Sequence, residues 1–170
     1  MGLFDFLTGT KRPDANTPAA PRAALEAALM AVNRDSAPFQ LRPDDSGKAD
    51  YVAEWKIVDA RWYEIFAKAG LERVFRIYMK LDEAAHEVRA VDEEYTIEWR
   101  AGVPNLSLAV SGFRGQKKEV SFGTAYAFTE EFRPGQVYKY RFVTGEIKTP
   151  LQEAVLANGW TWRGVSFGKL

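Results

Sequence analysis

A chain of 170 residues, 46% hydrophobic and 27% charged, has the length and balance of one globular domain, able to bury about 70% of its unfolded surface. It has no cysteine, and His86 is its single histidine, which excludes disulfides, thiolate metal sites, cysteine nucleophiles and histidine-rich metal centres. A formal net charge of +0 argues against a protein that coats nucleic acid, and no apolar run approaches the length of a membrane span.

The chain opens on Leu3, Phe4, Phe6 and Leu7, an apolar tag without the basic region of a signal peptide. Phe6 stands where a myristoylation signal requires Ser or Thr. Residues 8–21, with Pro13, Pro18 and Pro21 among Thr, Gly and Asn, read as a flexible linker. The expected organisation is therefore tag and linker over 1–21 and a single domain over 22–170.

An alanine-rich helix is expected over 22–33, with Leu25, Leu29 and Val32 in one stripe. A polar loop follows, rich in turn formers from Asp44 to Gly47, with a short edge strand at 39–41. Over 51–57, Tyr51, Ala53, Trp55 and Ile57 alternate with Val52, Glu54 and Lys56, the pattern of a half-buried strand. Asp59 can cap a helix that carries Trp62, Ile65, Phe66 and Ala69 on one face and stops at Gly70.

A meander of strands comes next. Phe75, Ile77, Met79 and Leu81 alternate with polar residues, 82–86 makes a turn, and the chain returns through Val88 to Val91. Tyr95, Ile97 and Trp99 alternate in their turn, but in the opposite phase to Val88 and Ala90. That change of phase predicts a break or bulge at Asp92-Glu93-Glu94, leaving the three acids in water. In an unbroken strand Glu93 instead shares a face with Val91, Tyr95, Ile97 and Trp99, where a half-buried carboxylate could act as acid or base. A strand through Leu106, Leu108 and Val110, a hairpin turn at 114–117, and strands over 120–128 and 137–142 complete the meander. Thr149, Pro150 and Gln152 look like a capped helix start, Asn158-Gly159 like its stop, and 160–167 like a last strand bulged near Gly164. The fold class is α+β, a mainly antiparallel curved sheet or partly closed barrel of about eight strands with about three short helices.

Chemistry is sparsely marked. Phosphate-binding loops, a nucleophile elbow and a calcium loop are all missing from the sequence. His86 sits in a turn without a nucleophile beside it, so it is expected to be solvated. Lys139 and Arg141 alternate with Tyr138 and Tyr140, which sends charges and rings to opposite faces and argues against a base-stacking platform. No catalytic residue, cofactor or metal is assigned. A curved sheet crossed by a helix can enclose a pocket, and Trp62, Tyr95, Trp99, Tyr138, Trp160 and Glu93 are its candidate lining, suited to a small apolar ligand. The leading expectation is a cytoplasmic, non-enzymatic binding or protein-interaction domain, with the tag folding back on its own domain or contacting a protein partner or a second copy of the chain. The alternatives are a small-molecule-binding domain or enzyme with carboxylates inside the sheet, and a protein that touches a membrane surface through Leu3, Phe4, Phe6 and Leu7.

Overall fold

The computed structural model describes residues 9–35, 37–57, 62, 67, 73–101, 103–108, 114–115, 126–129, 137–140, 144–165 and 170. In chain order the elements are α1 (Arg22–Met30), β1 (Phe39–Pro43), β2 (Tyr51–Trp55), β3 (Arg73–Asp82), β4 (Glu87–Arg100), β5 (Val103–Leu108), β6 (Arg114–Gly115), β7 (Tyr126–Thr129), β8 (Val137–Tyr140), α2 (Thr144–Ala157) and β9 (Thr161–Gly164). The architecture is α+β. A 7-stranded, mostly antiparallel sheet curves as a half-barrel along the order β1-β2-β3-β4-β5, and β7 pairs with β8 in a 2-stranded sheet. The expected helix over 59–69 lies outside the described residues apart from Trp62 and Ala67. So do Leu3, Phe4, Phe6 and Leu7, and residues 120–125 of the expected strand over 120–128.

Strand β4 organises the sheet. One edge pairs with β3 in unbroken register from Arg73↔Thr96 to Asp82↔Glu87. The other edge is shared by three strands in succession: β9 at Glu87 to Ala90, β6 at Asp92 and Glu93, and β5 at Tyr95 to Arg100. The predicted break at Asp92-Glu93-Glu94 is therefore wrong. The strand runs straight through, and all three acids are buried. The change of apolar phase records a change of covered face instead. Val88 and Ala90 join the core on one side of the sheet, whereas Tyr95 and Ile97 join it from the other. The segment 114–115, expected in a hairpin turn, is a short strand on β4.

The pairing of β9 with β4 is parallel, which alternation alone does not reveal. Parallel neighbours require a long crossover, and α2 is its last element before β9. That helix starts at Thr144, ahead of the expected Thr149 cap, and holds Pro150 in its interior. The expected stop is observed as a Schellman motif. Trp160 N–H reaches Val155 O at 3.1 Å, Gly159 N–H reaches Leu156 O at 3.0 Å, and Gly159 has φ +71°.

Much of the main core lies between the sheet and helices α1 and α2. Leu25 and Leu29 of α1, Ile147, Leu151 and Val155 of α2, and Phe75, Ile77 and Met79 of β3 are all buried in it. Trp55 anchors it, edge-to-face with both Phe39 and Phe75. Among the described residues, the outer edge of β1 is met by a side chain. The Asn33 amide accepts from Leu41 N–H at 2.6 Å and donates to Leu41 O at 2.8 Å, taking the place of a neighbouring strand.

Residues 9–21, expected as a linker, form specific bonds with the end of the chain. Lys11 and Trp162 exchange two backbone hydrogen bonds of 2.8 Å, and Ala20 N–H donates to Asn158 O at 2.8 Å. The Trp160 indole donates to Ala20 O at 2.8 Å. Proline kept this segment out of helix and strand but left it able to pack.

Candidate functional site

The face of the sheet turned away from α1 and α2 carries a polar cluster that the β registers assemble. Gln40, Glu54, Arg76 and Glu93 stand directly opposite one another across β1, β2, β3 and β4. Cross-strand neighbours lie close enough to pair, and this row alternates in charge from Glu54 onward. Glu54 accepts from Arg42 Nε at 2.7 Å and lies 3.1 Å from Arg76 Nε. Glu54 is buried, so β2 is covered on both faces rather than half-buried as its alternation predicted. Two flanking guanidiniums and a cross-strand amide stabilise a carboxylate there. Lys56, also expected in water, is buried as well, its ammonium donating to Arg34 O at 2.9 Å and lying over the Trp62 ring.

The second half of the cluster is a hydrogen-bond chain. Tyr95 O–H donates to Glu93 Oε1 at 2.7 Å, and Tyr78 and Tyr95 hydroxyls are 2.9 Å apart. A phenol has one proton, so Tyr78 must donate to Tyr95. The Arg76 guanidinium stacks on the Tyr95 ring, 4.7 Å from its centroid. Burial, with the bonds to Tyr78 and Glu93 behind it, pushes the Tyr95 phenol far above its ordinary range, so it is a fixed neutral donor. Burial pulls the Arg76 guanidinium downward, but the charge of Glu54 and the two tyrosines outweigh it and leave the group firmly cationic.

Lys48 closes the chain from outside. It belongs to the loop after β1, where Asp44 accepts hydrogen bonds from Ser46 N–H, Ser46 Oγ and Ala49 N–H. Its ammonium lies 3.3 Å from Glu93 Oε1 and 5.1 Å from the Tyr78 ring centroid.

Of the expected lining residues, Glu93 and Tyr95 are brought together in this cluster, and Trp99 is half-buried further along β4. Trp62 and Trp160 are fully buried in the main core. Tyr138 lies on β8, opposite Phe128. His86 is an exposed turn residue with φ +48°, its ring edge-to-face with Trp160. Sequence reasoning missed Arg42, Lys48, Glu54, Arg76 and Tyr78. Their signal is charge complementarity at cross-strand positions, which becomes visible only with the register.

On the helix side of β4, Lys148 of α2 donates to Asp92 Oδ2 at 2.6 Å in a buried pair. Glu94 lies 3.5 Å from Arg73 Nη1. Among the described residues no group of His, Asp and Glu is placed to hold a metal ion, and no helix is long and apolar enough to cross a membrane. No family model, curated protein or solved structure matches this chain.

Proposed function

We propose that this chain is a non-catalytic, cytoplasmic binding domain that takes up a small polar ligand at the Glu54–Arg76–Tyr78–Glu93–Tyr95 cluster, inside a partly closed barrel. The carrying observation is that each carboxylate of the cluster is already engaged by a cation or a hydroxyl, while Tyr95 is held neutral. Groups so fixed supply oriented charge and hydrogen bonds, the requirements of recognition. General acid–base work needs a group free to exchange its proton near neutral pH. An apolar filling would be as stable or more so at less desolvation cost, which favours a recognition role for the buried ions. The cluster also communicates with water through Lys48, whose side chain is 44% exposed.

The test is a thermal-shift screen of the full chain against amines, amino acids, carboxylates and nucleosides. A ligand at a hundred times its Kd contributes about 2.7 kcal/mol, or roughly 5–10 °C in a chain of this size. The rise should disappear in Tyr95→Phe and Glu93→Gln, and the ligand should be recovered chemically unchanged. Stabilisation by no class, or stabilisation that survives both substitutions, would refute the assignment.

A further inference from the structure

Building on that reading, we infer that the ligand carries an organic ammonium group and that Lys48 is a built-in occupant of its seat. A cation is best recognised where a carboxylate and the face of an aromatic ring converge. Glu93 Oε1 and the Tyr78 ring supply these two elements, and the Lys48 ammonium sits between them at 3.3 Å and 5.1 Å. Tyr95 donates to the same Glu93 oxygen at 2.7 Å, fixing the carboxylate toward the seat.

The fit of Lys48 is loose. A charge-assisted ammonium–carboxylate bond is ordinarily about 2.7–2.9 Å long. The Lys148–Asp92 bond, at 2.6 Å and sealed between α2 and β4, shows what a committed structural pair looks like in this molecule. Lys48 reaches Glu93 from an exposed loop and keeps 44% of its side chain in solvent, so its own path is an approach route for another amine. The loop is held internally through Asp44, which lets Lys48 withdraw while the turn around Ser46 persists. An incoming ammonium group displaces the lysine and takes over the same carboxylate and ring, and Lys48 moves to water.

The experiment titrates the full chain with n-butylammonium chloride and follows the ring resonances of Tyr78 by NMR, with sodium chloride as the control for ionic strength. Lys48→Ala should bind at least tenfold more tightly than the unaltered chain, and Lys48→Arg should bind as weakly as the unaltered chain. Adding Glu93→Gln to Lys48→Ala should weaken binding at least tenfold. If Lys48→Ala fails to fold, Lys48→Met keeps the stem and is titrated in its place. A folded variant without the lysine that binds no better than the unaltered chain overturns the inference. Equal binding after Glu93→Gln overturns it too, because the cation would then sit elsewhere. If butylammonium fails while another compound stabilises the chain in a Tyr95-dependent way, the ammonium assignment falls and the binding-domain reading stands.

Discussion

Gly159 joins the last helix, the last strand and the N-terminal segment, and replacing it with alanine tests all three. Its φ of +71° is a conformation that costs a residue with a Cβ about 1–2 kcal/mol. The added carbon would also lie 2.3 Å from Pro18 O, 2.5 Å from Pro18 C and 2.8 Å from Ala19 Cα. These are backbone atoms, so the segment must move as a whole. The bonds from Ala20 N–H to Asn158 O and from the Trp160 indole to Ala20 O are then stretched or lost. At about 1 kcal/mol each, they bring the total to about 3–4 kcal/mol, a fall in melting temperature of roughly 6–16 °C. Gly47 is the internal control, since it has φ +80° with nothing within 4 Å of an added Cβ. Gly47→Ala should cost only the conformational part. Urea unfolding of both variants, followed by tryptophan fluorescence, separates strain from crowding. Equal losses in the two would refute the close approach of residues 18–20 to the helix end.

Lys148→Met leaves Asp92 charged and buried, so it should cost about 3–5 kcal/mol in urea unfolding, and adding Asp92→Leu should recover most of that. Asn33→Ala removes both bonds to Leu41 and should cost about 1–3 kcal/mol, with concentration-dependent association by light scattering as the open edge of β1 finds partners. Tyr95 has a raised pKa in the folded chain, so its contribution is complete below about pH 10, the ordinary phenol value, and fades as pH rises past it. Tyr95→Phe should therefore flatten the alkaline limb of a plot of urea midpoint against pH. Asp44 is lowered despite its partial burial, because Ser46, Ala49 and Lys48 donate to it, so its hold on the loop is complete above the ordinary carboxylate value and lost as pH falls through its depressed one. The Ser46 and Ala49 amide resonances should report that release, and Asp44→Asn should abolish the titration.

The sheet was legible where one face alone is decisive. The alternation of Phe75, Ile77, Met79 and Leu81 places β3 correctly, because all four pack under the helices. Asn158-Gly159 marks the helix end, because the left-handed turn there favours glycine. Alternation fails where both faces are covered. Glu54 and Lys56 look like a water-facing row, yet cross-strand and backbone partners take them inside. It fails again at Asp92 to Glu94, where a switch of covered face imitates a break. The partners that make burial tolerable are remote in sequence: Lys148 from Asp92, Lys48 from Glu93, Arg76 from Glu54. Local patterns carry no information about them.

The placement of charge around β4 bears on function in the same terms. Asp92 and Glu93 are consecutive, and the pleat sends them to opposite faces of the sheet. Each meets a lysine from a distant element, but the two pairs are built differently. Lys148 rises from a packed helix and is buried with its partner, so breaking that pair strands a charge in the core. Lys48 comes from a loop and remains half in water, so leaving the pair returns its ammonium to solvent, while the buried Glu93 still accepts from Tyr95. The tyrosine chain, with Arg76 stacked on the Tyr95 ring, holds Glu93 from within the sheet through the Tyr95 hydroxyl. A carboxylate organised by fixed donors and covered by a removable cation is prepared for exchange with a second cation, whereas Asp92 is committed to the fold. This difference between neighbouring acids on one strand is the reason the proposed ligand site is put at Glu93 and not at Asp92.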